Sequence, residues 1–216
     1  MTVEGRAQGS GPTTTVLLWR HGRTEWNAAG RFQGQHDIPL DDVGLDQAEL
    51  AAEALVARRP QVLYSSPLTR ARQTAAALAA RTGLEPRLHD DLAEINVGTW
   101  VGLTPADLAG DPEYAKAARG VDFRRSATGE TATEVGARMA RAVKQIASSN
   151  PGKRVVIASH GLAIRMGTGA LLGWDFETSW WLGALRNCHW VELTVSEPSQ
   201  PGGRHRWRLQ AYNATA

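Results

Sequence analysis

Three short apolar segments, each followed by polar residues, constrain the fold of this 216-residue chain most strongly. They are residues 16–19 (VLLW), 61–65 (QVLYS) and 154–159 (RVVIAS), and stretches with helical character separate them. A continuous apolar run of this length is typical of a strand that is covered on both faces of its sheet. Strands that alternate with helices predict an α/β fold with a largely parallel sheet.

The stretches between the strands predict helices with recognisable ends. One helix follows Gly44, and its inward positions are Leu45, Ala48, Leu55 and Val56. A second begins with Ser66 as the N-cap and Pro67 as the first helical residue. It extends to about residue 81, because Gly83 can adopt the left-handed conformation that ends a helix.

The rest of the chain completes a layered architecture. Residues 132–148 and 161–172 predict two further helices, and residues 85–129 predict loops with short helices. Residues 190–195 and 207–212 predict two closing strands that could form a hairpin. The sequence therefore predicts a three-layer α/β/α sandwich with a mostly parallel central sheet.

Composition restricts the class of protein. Residues 1–13 are small, polar and glycine-rich and predict a disordered leader, and residues 14–216 predict a single domain. No apolar run approaches the roughly 18 residues of a membrane helix. Cys188 is the only cysteine and cannot form an internal disulfide, so we expect a cytoplasmic protein without a membrane partner. The net charge is only +2 and the arginines are scattered, which predicts no nucleic-acid partner.

Polar residues follow each of the three predicted strands. Residues 20–22 (RHG), 66–70 (SPLTR) and 160–161 (HG) come directly after them. Ligands bind outside the carboxyl ends of the strands in sheets of this kind, so we expect these three segments to meet there.

The residue types at these ends suit a phosphate monoester. The planar guanidinium forks of Arg20 and Arg70 match phosphate oxygens and keep their charge. His21 can act as a covalent nucleophile if it is neutral, and flanking arginines would lower its pKa. Backbone N–H groups after His160, at the start of a helix, could also meet a phosphate oxygen.

Five segments together resemble the histidine phosphatase superfamily, also called the phosphoglycerate-mutase-like family. In chain order they are residues 18–40 (LWRHGRTEWNAAGRFQGQHDIPL), 65–75 (SSPLTRARQTA), 92–102 (LAEINVGTWVG), 129–131 (GET) and 159–165 (SHGLAIR). The resemblance spans about residues 15–172 in the right order. It departs mildly at residues 129–131, where the family usually has Gly-Glu-Ser.

The resemblance implies roles for matching residues. His21 would be the nucleophile and form a phosphohistidine, and Arg20, Arg70 and His160 would complete the phosphate pocket. Glu94 would give a proton to the leaving oxygen and later accept one from the attacking water. The remaining matched positions would line the phosphate or the substrate: Asn27, Gln33, Gly34, and the backbone at Gly161 and Leu162. The resemblance implies no metal and no cofactor.

Each assignment has a structural alternative. Taken alone, His160 could be a hydrogen-bonded core histidine, and Glu94 could be a surface charge. Arg72 lies on the same predicted helix as Arg70 and is interpreted as a solvated residue. Arg165 matches a frequent family arginine or simply supports its helix. The other histidines match no catalytic position and are interpreted as structural or surface residues: His36, His89, His189 and His205.

Tryptophan is unusually frequent, with eight residues. Most of them are predicted to lie in the core, and four could instead wall the substrate cleft: Trp26, Trp100, Trp180 and Trp181. The tryptophan-rich last third either provides an apolar homodimer surface or belongs to ordinary core.

The resemblance favours a phosphatase over a mutase. Mutases with similar motifs carry a long extra segment between the acid and the second histidine, whereas only 65 residues separate Glu94 from His160 here. Residues 182–190 and 207–214 resemble the C-terminal part of one bacterial group in the family. This predicts a phosphorylated small-molecule substrate of the phosphoglycerate or sugar-phosphate type, such as glucosyl-3-phosphoglycerate.

Other functions stay open beside this one. Within the family they are a cofactor-dependent phosphoglycerate mutase, a broad-specificity phosphatase and a phosphate-binding pseudoenzyme. The sequence lacks the His-Glu-x-x-His motif of metal hydrolases and the glycine-rich motifs of nucleotide-binding loops.

Overall fold

The computed structural model describes residues 11–196 and 206–216. The strands are β1 (Thr13–Arg20), β2 (Val62–Ser65), β3 (Arg87–Leu88), β4 (Arg154–Ser159), β5 (Trp190–Ser196) and β6 (Arg206–Ala214). The α-helices are α1 (Glu25–Ala28), α2 (Asp42–Val56), α3 (Thr69–Thr82), α4 (Ala132–Ser148), α5 (Gly161–Leu172) and α6 (Phe176–Trp180). Short 3₁₀ helices occupy Asp90–Leu92, Gly98–Trp100 and Tyr114–Arg119.

The described strands form one sheet in the order β3-β2-β4-β1-β5-β6. The neighbours β3, β2, β4 and β1 are parallel, and β5 runs antiparallel to both β1 and β6. The register pairs Arg20 with Ser159 and Ser65 with Ala158. The ends of the three central strands therefore lie side by side, and the predicted α/β sandwich with a mostly parallel sheet is confirmed.

The side chains of β1 show why the sheet is covered on both faces. Val16 and Leu18 pack into a cluster with α4 and α5, whereas Leu17 and Trp19 pack into a second cluster with α2 and α3. All four side chains are at most 1% exposed. Since successive residues of a strand point to opposite faces, a continuous apolar run is what two helical layers require.

The inward face of α2 differs from the predicted one. Ala48 and Leu55 are buried as expected, but Leu45 and Val56 are 42% and 37% exposed. The buried positions instead begin at Gly44 and recur at helical spacing. Most of them are small residues, which lets the helix lie close to its neighbours. Leu45 and Val56 each lie one residue beyond a buried position, which turns them about 100° away on a helix of 3.6 residues per turn.

The start of α3 also differs from the prediction. The helix begins at Thr69, and its N-cap is Leu68, not Ser66. The Ser66 hydroxyl lies 2.7 Å from His160 Nε2 and accepts only a long hydrogen bond from Leu68 N, at 3.3 Å. Ser66 is thus engaged by the neighbouring strand end and does not cap the helix. The predicted stop is confirmed, because Gly83 has a φ of 70°.

The remaining elements agree with the sequence more closely. The two closing strands form the predicted hairpin as β5 and β6, while the five-residue helix α6 was not predicted. Most of the expected leader, residues 1–10, and His205 lie outside the described residues; Thr13 already belongs to β1. No helix in the described ranges is long and apolar enough to cross a membrane.

Candidate active site

Three strand ends bring the predicted catalytic residues together. His21 follows β1, and its N–H donates to Ser159 O of β4 at 3.0 Å. Ser66 follows β2, and its N–H donates to Ala158 O at 2.9 Å. The rings of His21 and His160 consequently lie with their centroids 5.1 Å apart.

His21, the predicted nucleophile, is held as a neutral imidazole. Its side chain is almost fully buried, and Nδ1 lies 2.7 Å from the backbone oxygen of Gly22. A carbonyl oxygen can only accept, so Nδ1 carries the proton and Nε2 keeps its lone pair. Burial holds the pKa of His21 well below 6.5, and the positive charges of Arg70 and Arg20 lower it further. The predicted direction is confirmed, although burial contributes more than the arginines.

Gly22 fixes the backbone next to His21. A Cβ atom at Gly22 would lie 2.3 Å from Gly44 O, so the loop after β1 packs directly on the first turn of α2. The Gly22 N–H donates to Thr74 Oγ1 of α3 at 3.1 Å. The loop after β1 is therefore clamped between two helices.

Arg70 is held by three hydrogen bonds inside the protein. It is 1% exposed, and its nitrogens donate to Gly34 O at 2.7 Å, His36 O at 2.8 Å and His160 Nδ1 at 3.2 Å. Burial lowers the pKa of Arg70 to about 10, and the negative charge of Glu94 opposes that shift. The side chain therefore stays cationic at neutral pH. Arg72, by contrast, is exposed, as predicted.

Arg20 contributes a second cation, which is partly buried. One of its terminal nitrogens donates to Leu185 O, while Nε is buried without a protein partner in the part of the chain that the structure describes. A Cβ atom at Gly161 would lie 3.3 Å from this Nε. Burial lowers the pKa of Arg20, again against the charge of Glu94. Arg20 thus lies beside the start of α5, where we expected the phosphate.

Glu94 lies at the N-terminus of α5. Its Oε1 accepts hydrogen bonds from Ala163 N at 3.0 Å and Ile95 N at 2.9 Å, and its Oε2 accepts one from Leu162 N at 3.2 Å. The carboxylate is thereby fixed close enough to Arg20 and Arg70 for its charge to raise the pKa of both. The Leu162 N–H, which we expected at the phosphate, is occupied by Glu94, so only the N–H of Gly161 remains for that role.

The three other predicted binding residues lie around the same centre. Gly34 presents its carbonyl to Arg70, and its φ of 53° favours glycine. Gln33 is 8% exposed, and its Oε1 has no partner among the described residues. Asn27 Oδ1 accepts hydrogen bonds from Thr24 at the start of α1. Gly34 thus contacts Arg70 directly and Gln33 precedes it in the chain, and the individual roles of all three residues stay predictions.

Two positioning contacts were missed from the sequence. Arg138 of α4 donates to the backbone oxygens of Asp91, Ala93 and Glu94, at 3.0, 2.7 and 2.7 Å. The same guanidinium forms an ion pair with Glu130, at 2.8 Å, and Glu130 accepts from Asn96 N. In the sequence Glu130 stands out only as part of residues 129–131, and no local pattern singles out Arg138.

The tryptophans are less buried than predicted. Only Trp19, Trp100 and Trp190 belong to the core. Trp26 stacks on His36 with ring centroids 5.1 Å apart, beside the carbonyl that Arg70 binds, and Trp181 is 83% exposed. Trp180 and Trp207 are partly buried and pack against the core clusters, so most of the indoles contact the core although only three are fully buried.

Two further residues, Arg165 and Cys188, have surroundings that indicate structural roles. Arg165 donates to Trp180 O and lies 4.1 Å above the Trp180 ring, so it supports α6. Burial raises the pKa of the Cys188 thiol to about 12, which leaves it protonated and unreactive at neutral pH.

A cavity of about 860 Å³ lies elsewhere, between the C-terminal ends of α4 and α5 and strand β6, and contains none of the predicted site residues.

Comparisons with known proteins agree with this arrangement. A family model described as histidine phosphatase superfamily (branch 1) matches residues 16–214. The chain is 35% identical over 215 residues to glucosyl-3-phosphoglycerate phosphatase of Mycobacterium tuberculosis, which covers 93% of this chain and 95% of that protein. It is 32% identical over 203 residues to a Yersinia pestis protein named "Probable phosphoglycerate mutase GpmB", with 93% of each covered.

A solved structure is similar over nearly the whole chain. The mycobacterial glucosyl-3-phosphoglycerate phosphatase in complex with VO3 superposes with a TM-score of 0.83 at 35% identity. The match covers 93% of this chain and 99% of that one. The resemblance drawn from the sequence motifs is therefore confirmed for the fold and the family.

Proposed function

This chain belongs to the histidine phosphatase superfamily and is a phosphatase, and we propose that His21 carries the phosphoryl group during turnover. The observation that supports this most directly is the state of His21. Its Nδ1–H is bonded to Gly22 O, which leaves Nε2 unprotonated, and the charges of Arg70 and Arg20 lower the pKa of the ring. A neutral imidazole next to two cations is suited to attack a phosphate dianion.

The reaction then proceeds in two displacements at phosphorus. His21 Nε2 attacks the phosphorus atom, the bond to the leaving oxygen breaks, and that oxygen takes a proton from the Glu94 carboxyl group. Water next attacks the phosphohistidine and gives a proton to the Glu94 carboxylate, while the electrons of the P–N bond return to Nε2. Arg20 and Arg70 neutralise the phosphoryl oxygens throughout.

We propose a phosphoglycerate-type substrate, with glucosyl-3-phosphoglycerate as the leading candidate. Support comes from the relative of that name, which is 35% identical over 93% of this chain. The segment between Glu94 and His160 forms loops and 3₁₀ helices followed by α4, without the long insertion expected of a mutase. Mutase activity is the second candidate, because the Yersinia relative carries that name.

A substrate panel distinguishes these candidates. It compares kcat/KM for glucosyl-3-phosphoglycerate, 3-phosphoglycerate, other sugar phosphates and p-nitrophenyl phosphate. We expect glucosyl-3-phosphoglycerate to exceed the others by about 10-fold or more, since hydrogen-bonded groups of the leaving alcohol contribute on that scale. A flat profile would refute the specific substrate, and net conversion of 3- to 2-phosphoglycerate without released phosphate would favour the mutase.

Further properties belong to the same proposal. We expect activity to be unchanged after dialysis against a strong chelator, because the proposed reaction uses no metal ion. Loss of activity would contradict that expectation. Cell fractionation tests the proposed cytoplasmic location. Light scattering distinguishes a homodimer surface in the tryptophan-rich last third from ordinary core, and a gel-shift assay checks the predicted absence of a nucleic-acid partner.

A further inference from the structure

A single side-chain amide connects the nucleophile to the predicted phosphate ligand Asn27. Asn187 lies in the segment between α6 and β5, and its Nδ2 donates to the backbone oxygen of His21 at 3.0 Å. The same nitrogen lies 3.3 Å from Asn27 Oδ1. An amide nitrogen carries two hydrogens, so both bonds can form at once.

The contacts of Asn27 determine which way its own amide points. Its Oδ1 accepts from Thr24 N and Thr24 Oγ1, each at 3.2 Å, as well as from Asn187. Three donors around one atom identify that atom as the oxygen. The Asn27 Nδ2 group therefore points the other way, and within the described residues it has no protein acceptor. It is free to donate to an anion.

The backbone next to Asn187 is fixed against the end of β1. The Cys188 N–H donates to Arg20 O at 3.1 Å and to His21 O at 3.3 Å, and Trp19 Nε1 donates to Cys188 O at 3.1 Å. Cys188 has a φ of 57°, which is unfavourable for a side chain with a Cβ atom and persists only where surrounding contacts impose it. Asn187 is thus placed by contacts on both sides of its neighbour.

The last strand fixes the other side of this segment. Arg186 N donates to Asn213 Oδ1 at 2.9 Å, and the hydroxyl of Tyr212 donates to Gly183 O at 2.6 Å. These bonds join the two C-terminal segments whose resemblance was noted in the sequence. Hydrogen bonds between the two segments therefore help to hold Asn187 in place.

We propose that Asn187 is a positioning residue of the active site: it orients the Asn27 amide so that Nδ2 faces the phosphate, and it holds the His21 carbonyl. This rests on the proposed phosphatase function. Without Asn187, the Asn27 amide loses one of three restraints and can rotate its oxygen toward the phosphate, where it would repel the dianion.

A double-mutant cycle tests the coupling. It measures kcat, KM and the inhibition constant of inorganic phosphate for the wild type, Asn187→Ala, Asn27→Ala and the double variant. We expect Asn187→Ala to lower kcat/KM and to weaken phosphate inhibition by about 10-fold each, the usual scale for a hydrogen bond to a charged group. In the Asn27→Ala background, the same change should weaken phosphate inhibition less than about threefold.

The controls separate positioning from folding and from the overall function. Asn187→Leu keeps the shape of the side chain but donates no hydrogen bond, so it replaces Asn187→Ala if that variant does not fold. Gln210→Ala removes an exposed amide that bonds Thr194 Oγ1 on the hairpin, and should keep wild-type kinetics. An equal effect of Asn187→Ala in both backgrounds, or an unchanged phosphate inhibition constant, would overturn the proposal. Wild-type turnover by His21→Ala would instead refute the proposed role of His21 as the nucleophile.

Discussion

Arg70 Nε donates to His160 Nδ1 across 3.2 Å, so two side chains that can each carry a positive charge share one buried hydrogen bond. Guanidinium nitrogens only donate, and His160 must therefore accept through an unprotonated Nδ1. Its Nε2–H is then directed at Ser66 Oγ, 2.7 Å away. Burial and the charge of Arg70 lower the pKa of His160 well below 6.5, in agreement with a neutral ring. In this arrangement His160 fixes the direction of the Arg70 fork.

Replacing Arg70 by lysine tests that fork. Arg70→Lys keeps the charge but cannot bond Gly34 O, His36 O and His160 at once. We expect kcat/KM to fall about 100- to 1,000-fold, as for the loss of a preorganised donor at a transition state. Arg72→Lys, on the exposed face of the same helix, is the matched control and should be close to wild type. Equal kinetics of the two variants would contradict the assignment.

The buried histidines predict a pH-dependent stability. Below about pH 6.5 an unfolded chain protonates both rings, whereas the lowered pKa values of His21 and His160 keep them neutral in the folded protein. The unfolded state then binds more protons, so the free energy of unfolding decreases as the pH falls below about 6.5. Each histidine contributes a slope of up to about 1.4 kcal/mol per pH unit. Urea unfolding between pH 7.5 and 4.5 measures it.

A histidine variant isolates this effect from that of the carboxylates. His160→Gln removes one of the two sites of proton uptake by the unfolded state. Below pH 6.5, we expect the free energy of unfolding of this variant to decrease less steeply with falling pH than that of the wild type. The difference in slope corresponds to at most one proton taken up on unfolding. Parallel pH dependences of the two proteins would show that His160 is not held neutral by the fold.

The close contact at Gly22 predicts a large effect of one added methyl group. Gly22→Ala would place Cβ 2.3 Å from Gly44 O, and neither backbone can move without displacing His21 or α2. We expect a loss of stability of about 1–3 kcal/mol, toward the upper end because backbone atoms collide. Gly110→Ala, where a Cβ meets nothing within 4 Å, is the control for thermal unfolding. Similar melting temperatures for both variants would be incompatible with this packing.

The role of Glu94 predicts a dependence on the leaving group. Glu94→Gln cannot protonate an alkoxide, so phosphoryl transfer from a sugar phosphate should slow about 100-fold or more. Transfer from p-nitrophenyl phosphate should slow much less, because its leaving group is stable as an anion. Rapid-mixing experiments measure release of the alcohol product in the first turnover. They separate this step from hydrolysis of the intermediate. An equal reduction for both substrates would argue against Glu94 as the proton donor.

The sequence predicts which residues lie together at the strand ends, because each of them directly follows a strand. His21 and His160 each directly follow an apolar strand, and the rule for parallel sheets places such residues together. Local patterns also predict the end of α3 at Gly83. These features depend on periodicity and on backbone preferences, which are visible in one segment at a time.

Other features depend on contacts between distant segments. Asn187 meets His21 across 166 positions, and Arg138 meets Glu94 across 44. Nothing near either residue in the sequence marks these bonds. The start of α3 was misplaced for a similar reason, since Ser66 follows the usual pattern for an N-cap but its hydroxyl lies against His160. Such contacts need the assembled fold.

The most direct test of the central assignment is to trap the phosphorylated enzyme. Wild-type protein is mixed with substrate and quenched within one turnover in alkali, which preserves phosphohistidine. The phosphorylated peptide is then sequenced by mass spectrometry. The structure predicts one acid-labile phosphoryl group on His21, formed as fast as turnover and absent from His21→Ala. Phosphate on another residue, or turnover at the wild-type rate without any phosphorylated His21, would contradict the account.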